Sequence, residues 1–189
     1  MTPDEQTLLR GCRQGDDAAW LALFQTYGTD VGTFLRGMLH TTDVDDLVQQ
    51  VFLSFLSSLD RFRGDASLRT WLLRIARNVA LHEIRDRTRR RRHLRAYARS
   101  VDEPQAAPDG QVHARDQLAR IQRLVARLDD RFREVWVLRE LGFCSVAETA
   151  AILDIPESTV RTRHHRARAR LFDALAEDDG VPDLTVVKP

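Results

Sequence analysis

The segment Asp43–Leu59, DVDDLVQQVFLSFLSSL, places Leu47, Val48, Val51, Phe52, Phe55, Leu56 and Leu59 at spacings of three and four. A helix gathers such positions on one face, whereas a strand requires alternation by two. Asp43, Asp45 and Asp46 stand at its start, where the helix dipole favours acids. The same period governs the chain from residue 4 to about 95. Before this segment, Leu8, Leu9, Trp20, Leu23, Phe24, Tyr27, Val31, Phe34, Leu35 and Leu39 mark two or three helices. After it, DRFRGDASLRT reads as a loop, with Gly64-Asp65 as its turn and Ser67 as a cap for the next helix. That helix is long. Its first half is apolar at Trp71, Leu72, Ile75, Ala76, Val79 and Ile84, and its second half is basic. No strand alternation and no long repeat competes with this reading.

Residues 100–113, SVDEPQAAPDGQVH, interrupt the pattern with two prolines, a glycine, three acids and neither lysine nor arginine. This composition is that of a linker. Helical periodicity resumes at Asp116. The expected fold is therefore all-α: two small helical domains on a flexible tether. The boundaries are 5–96 for the first domain, 97–115 for the acidic linker, 116–176 for the second domain and 177–189 for a frayed tail.

Composition narrows the functional classes. No apolar run approaches the eighteen residues of a membrane span, so no membrane insertion is expected. The first residues are acidic and polar, unlike a signal peptide. Cys12 and Cys144 lie far apart without a CxxC partner, which predicts reduced, buried thiols in a cytoplasmic protein. The net charge of +1 conceals an asymmetry, because Lys188 is the single lysine among 29 basic residues. Arginine presents the better fork for phosphate and guanine edges.

The second domain ends in a helix-turn-helix pattern, CSVAETAAILDIPESTVRTRHHRARARL. Ser145 and Glu148 have capping-box spacing, and Asp154-Ile155-Pro156 supplies a short turn with proline at a helix start. Val160 and Leu171 then face inward, leaving Arg161, Thr162, Arg163, His165 and Arg166 to face out. The second helix of such a motif lies in the major groove and reads base edges with its early residues. A basic amphipathic helix in an ordinary bundle is the blander account. It does not explain why cap, turn, proline and arginines agree. His164 and His165 are adjacent on a helix and cannot chelate together, so neither a metal nor another cofactor is expected.

The first domain contains Asp46-Leu47-Val48-Gln49 with Phe52, then Phe62-Arg63-Gly64, then Thr70-Trp71-Leu72 with Ile75-Ala76 and Asn78. These motifs resemble region 2 of bacterial extracytoplasmic-function sigma factors, and residues 128–171 resemble region 4. The resemblance covers roughly residues 5–175, with both domains in order. It implies a specificity subunit and not an enzyme. Its partners would be RNA polymerase core, through the β′ coiled coil and β flap, and promoter DNA. Many family members also bind an anti-sigma protein that masks both domains.

Carried over residue by residue, the resemblance implies core contacts at Asp46, Gln49 and Gln50, with Val48, Val51 and Phe52 in the core. It implies minus-10 readout by Arg63, Gly64, Asp65, Ser67, Asn78 and His82. Trp71 could stack on a base, but its spacing with Leu72 and Ile75 favours the core. Minus-35 readout falls to Arg161, Thr162, His165 and Arg166. Phosphate contacts fall to Arg85, Arg89, Arg90, Arg139 and Arg163, the first three within a run of eight arginines between Arg85 and Arg99. The competing reading is a stand-alone helix-turn-helix regulator that binds duplex DNA without polymerase. A nucleic-acid enzyme is disfavoured. The acid cluster at Asp43, Asp45 and Asp46 has the dipole explanation, and no nucleotide or zinc motif is present.

Overall fold

A computed structural model describes residues 2–62, 64, 66–97, 120–121 and 123–179. The proposed linker beyond Tyr97 and the tail from residue 180 lie outside the described residues. Four helices form the first domain: α1 Pro3–Arg13, α2 Asp17–Leu39, α3 Asp45–Ser58 and α4 Leu68–Tyr97. The second comprises a helical stretch at 123–127, α5 Asp130–Trp136, a π-helical segment Val137–Leu141, α6 Val146–Leu153 and α7 Glu157–Asp179. All the regular structure among the described residues is helical.

Local chemistry sets the ends of these helices. Thr2 and Glu5 form a reciprocal capping box on α1, and the Asp16 side chain accepts from Ala18 N–H to start α2. His40 ends α2 in the left-handed region, at φ 52°. Ser67 caps α4 as expected, its hydroxyl accepting from Thr70 N–H at 3.1 Å. In the second domain, the buried Arg133 donates to the carbonyls of Val125, Ala126 and Leu128. It thereby satisfies carbonyls that the end of the preceding helical stretch leaves open.

The stripe on α3 packs as its spacing requires, with Val48, Val51, Phe52 and Phe55 buried against α2 and α4. Phe34, Leu35 and Met38 of α2 and Leu72, Leu73 and Ala76 of α4 complete this core. Full burial of one such large side chain is worth about 1.5–3 kcal/mol. Loss of Phe55, which has no solvent exposure, would cost about 3–5 kcal/mol.

The tether had left the placement of the two domains open, and in the structure they share one core. Val135, Val137, Leu138, Cys144, Ile152, Leu153 and Val160 join the residues of the first domain in a continuous apolar cluster. Gly37 makes the approach possible. A Cβ there would stand 2.8 Å from Val137 Cγ1 and 3.0 Å from Leu141 Cδ1. The helix expected across DDRFREVWVLRELG widens at its end, where Gly142 N–H reaches back five residues to Val137 O at 2.9 Å. Such π segments recur at functional sites, and this one carries the two side chains that meet Gly37.

Candidate nucleic-acid and polymerase interface

The helix-turn-helix forms as its sequence prescribes. Ser145 and Glu148 cap α6 reciprocally, which holds the Glu148 carboxyl below its usual range. Asp154 turns the chain at φ 55°, and Pro156 O accepts from Thr159 and Val160 N–H. Val160, Ala167 and Leu171 are buried beneath α7. Arg161, Thr162, His165 and Arg166 are exposed on its outer face. In the free protein Arg161 pairs with Glu157 at 2.6 Å, and the Thr162 hydroxyl donates to Ser158 O at 2.9 Å. Both are exposed bonds within one helix, so exchanging them for a ligand costs about a kilocalorie or less.

Two grooves flank this ridge. Arg131, Ser158, Thr159, Arg163 and Arg166 line one, and Arg139, Arg161, His165 and Arg168 line the other. Arg163 is half-buried, on the flank nearer α5. Arg139 is turned inward and donates to Cys144 O, while its Nε is buried without a partner. His164 fixes α7 to the π segment through Glu140, at 2.7 Å.

On α4, Asn78 and His82 are exposed and one turn apart, and Arg85, Arg89 and Arg90 are exposed further along. Arg90 reaches Glu83 at 3.3 Å, and Arg85 bonds Leu81 O. Gly64 holds the loop turn at φ 83°, in the left-handed region that glycine tolerates. Arg63 and Asp65 lie outside the described residues. Ser67 is spent partly on its capping role. Trp71 is half-buried, edge-on to Phe62 at 5.4 Å between ring centres, with its indole N–H buried and unpartnered.

Asp46, Gln49 and Gln50 are exposed on α3, as a contact face requires. The sequence reading missed what surrounds them. Leu53 is 58% exposed, Leu56 47%, and Leu21 and Phe24 of α2 are 58% and 48% exposed. Phe24 packs on Phe52 with ring centres 4.9 Å apart and planes tilted by 51°, and with Trp20, Gln49, Leu53 and Leu56 the pair lines an open groove. Leu53 was the available signal, because it falls off the buried stripe. Leu56 had been counted within it.

Four charged groups also escaped the sequence reading. Arg77 of α4 grips Glu134 of α5, with Nε to Oε1 at 2.9 Å and Nη2 to Oε2 at 3.3 Å. Burial pushes the Glu134 carboxyl up, against the pull of Arg77. Arg69 pairs with Asp30 at 2.5 Å and donates to Gly142 O at 2.6 Å and to Cys144 Sγ at 3.3 Å. Burial pushes the Cys144 thiol up although Arg69 opposes it. Both cysteines are free and buried. No group of metal-ligating side chains occurs among the described residues, and no helix there is long and apolar enough to cross a membrane.

Comparison with known proteins agrees with this architecture. The sigma-70 region 2 model matches residues 23–90, and the sigma-70 region 4 model matches residues 118–171. The chain is 36% identical over 176 residues to the ECF RNA polymerase sigma factor SigC of Mycobacterium tuberculosis, covering 91% of this chain and 89% of that one. It is 31% identical over 172 residues to the ECF RNA polymerase sigma-E factor of Escherichia coli K12, covering 87% and 90%. Among solved structures, CnrH in complex with the cytosolic domain of CnrY superposes with a TM-score of 0.68 at 30% identity, over 92% of this chain and 98% of that one. The sigma factor RpoE of Bartonella quintana, in complex with the anti-sigma factor NepR, gives 0.63 at 25% identity, over 80% and 93%. The chain belongs to the ECF sigma factors of the sigma-70 family: it is an alternative sigma factor, a non-enzymatic subunit that directs promoter-specific initiation of transcription.

Proposed function

We propose that the three exposed faces divide the work of initiation in the cytoplasm. The α3 face of Asp46, Gln49 and Gln50 docks on the β′ coiled coil of core polymerase, with Leu53, Leu56 and Phe24 as its apolar centre. An exposed apolar patch rimmed by polar groups is the usual form of such a surface. The Gly64 loop and α4 read the minus-10 element as a single strand, with Asn78 offering both donor and acceptor to a base edge. Arg63, Asp65, Ser67 and His82 belong to the same reader.

The outer ridge of α7 enters the major groove at the minus-35 element. Arg161, Thr162, His165 and Arg166 meet base edges, while Arg163 meets the backbone. Arg85, Arg89 and Arg90 add phosphate contacts beyond α4. Arg139 contributes to the backbone only if it leaves the Cys144 carbonyl. Region 4 also meets the β flap, and an anti-sigma protein covers the docking faces when the factor is idle.

The observation that carries this reading is the outer ridge of α7, four exposed readers over a buried Val160–Ala167–Leu171 seam. The test is binding of promoter duplex with and without core polymerase. Tight, sequence-selective binding only with core supports the assignment. Equal selectivity by the chain alone supports a stand-alone regulator.

A further inference from the structure

Helix α1 carries none of the three working faces, yet it holds both ends of the loop assigned to the minus-10 strand. Arg13, the last residue of α1, donates through Nη2 to Phe62 O at 3.1 Å and to Leu59 O at 3.4 Å. Phe62 leads into the loop. Near the other end of the same helix, Glu5 Oε1 accepts from Leu68 N–H at 3.4 Å. Leu68 is the first residue of α4, where the loop ends. Arg13 and Phe62 are 49 positions apart in sequence, and Glu5 and Leu68 are 63 apart. Neither bond follows from local chain geometry.

The helix that makes these bonds is firmly seated. Leu9 and Cys12 are buried, and Gly11 lets α1 settle on α2, where a Cβ at position 11 would stand 2.6 Å from Ala19 Cβ. Glu5 Oε2 accepts from Thr2 N–H at 2.7 Å, and Tyr27 of α2 donates its hydroxyl to Oε1 at 3.2 Å. Glu5 is thus fixed from α1 and α2 before it reaches α4. Its target, the Leu68 N–H, is one of the donors that the start of a helix leaves open. Ser67 serves a second such donor, on Thr70.

Five residues, 63–67, span the interval between the two held ends, and Gly64 within it stands at φ 83°. A short loop built around a glycine has little of its own to fix its shape, so its ends decide where its polar groups stand. A binding site held within about half an ångström discriminates between ligands, and a looser one adapts to the wrong ligand.

We propose that α1 brackets the minus-10 loop, and that Arg13 and Glu5 are positioning residues that sharpen base selection through the loop backbone. The inference rests on the assignment of that loop to the minus-10 strand. It gives the first helix of the chain a part in promoter specificity.

The test uses the full chain with bacterial core polymerase, on a promoter recovered from the source genome, with each minus-10 and minus-35 base replaced in turn. Arg13→Ala and Glu5→Ala should lower the preference for the matched minus-10 element over its mismatches by about tenfold, the worth of one base. Arg13 makes the shorter bond and should act more strongly. The minus-35 preference should not change, because α7 belongs to the other domain. Arg13→Lys keeps a donor for Phe62 O and should restore most of the minus-10 preference. Thr2→Ala weakens the same end of α1 but leaves the Leu68 bond, and should keep it. Gly11→Leu retains both side chains but lifts α1 from Ala19, and should lower it.

A merely structural loss scales transcription from every promoter alike, so the ratios report positioning. Circular dichroism checks that each variant folds. Amide exchange on the free chain gives a readout without DNA: Leu68 should exchange faster in Glu5→Ala than in Thr2→Ala. Unchanged minus-10 preference in folded Arg13→Ala and Glu5→Ala, or equal losses at both elements, would overturn the proposal. An unaltered chain indifferent to the minus-10 sequence would instead sink the assignment of the loop, and the Leu68 exchange would still decide whether α1 holds it.

Discussion

Arg77 and Glu134 lie 57 positions apart in sequence and meet through two bonds across the seam between the two domains. Arg77 keeps some solvent contact, whereas the Glu134 side chain is 4% exposed. Removing one partner of a buried pair costs about 3–5 kcal/mol, because the other charge is stranded. Here the stranded carboxylate has an exit. Arg77→Ala should separate the domains and let Glu134 regain water, so the expected result is an expanded chain in solution scattering with undiminished helicity. A compact chain that simply melts earlier would show that the seam cannot open.

Leu53 is the sharpest test of the docking face. It touches solvent more than core, so Leu53→Asp should change folding stability by no more than about 0.5 kcal/mol. Its affinity for core polymerase should fall by about tenfold or more, as expected for a central apolar contact worth over 1 kcal/mol. Chemical denaturation and a core-binding titration on the same sample check both halves.

Ser145 caps α6, the helix that precedes the proposed reader. Ser145→Ala removes one bond of the capping box and leaves Glu148 without its reciprocal partner. The expected loss is about 1 kcal/mol, seen as a lower denaturation midpoint with an unchanged slope. Promoter selectivity should persist at low temperature, because Ser145 is engaged with Glu148 at the start of α6 and not on the ridge of α7 proposed to read DNA.

Arg163 and Arg166 sit on adjacent sides of α7 and should fail differently. Arg163→Ala should weaken binding evenly across sequences and reduce the salt slope by about 1. Arg166→Ala should relax the preference at one base pair by about 1–3 kcal/mol. Salt titrations on matched and mismatched minus-35 duplexes distinguish the two.

His40 gives the closed form a pH dependence. Its ring reaches solvent, but partial burial and the Arg133 guanidinium across the seam lower its pKa to about 4. In the open form it returns to about 6.5. The lowered closed-state value means that its contribution to closure is complete above the open-state pKa and is lost as pH falls toward 4. Glu134, pushed up by burial, works in the opposite sense. The isolating measurement is therefore the difference between the chain and His40→Asn. Acid expansion between pH 7 and 5 should be larger in the unaltered chain, and identical profiles would remove His40 from the seam.

The helices and the turn-forming residues were legible because their signals are local. Spacing located α3 and its buried Val48, Val51, Phe52 and Phe55, and the Ser145–Glu148 pair marked the start of α6. The seam was not legible. Gly37 reads as an ordinary helical glycine until Val137 is known to lie against it. Glu134 and Arg77 read as solvated charges until two helices bring them together. Leu53 and Leu56 show a related limit, since periodicity cannot say which apolar positions remain uncovered. The exposure of Arg161, Thr162, His165 and Arg166 on α7 was legible because a helix-turn-helix fixes their orientation within a short segment. Those of the Gly64 loop rest on resemblance, and only part of that loop lies among the described residues.

The most direct measurement is transcription across a fragmented library of the source genome, using purified chain and bacterial core polymerase. The account predicts start sites that require the chain, share paired minus-10 and minus-35 elements, and disappear with Arg161→Ala plus Arg166→Ala. Start sites indifferent to those substitutions, or none that depend on the chain, would contradict it.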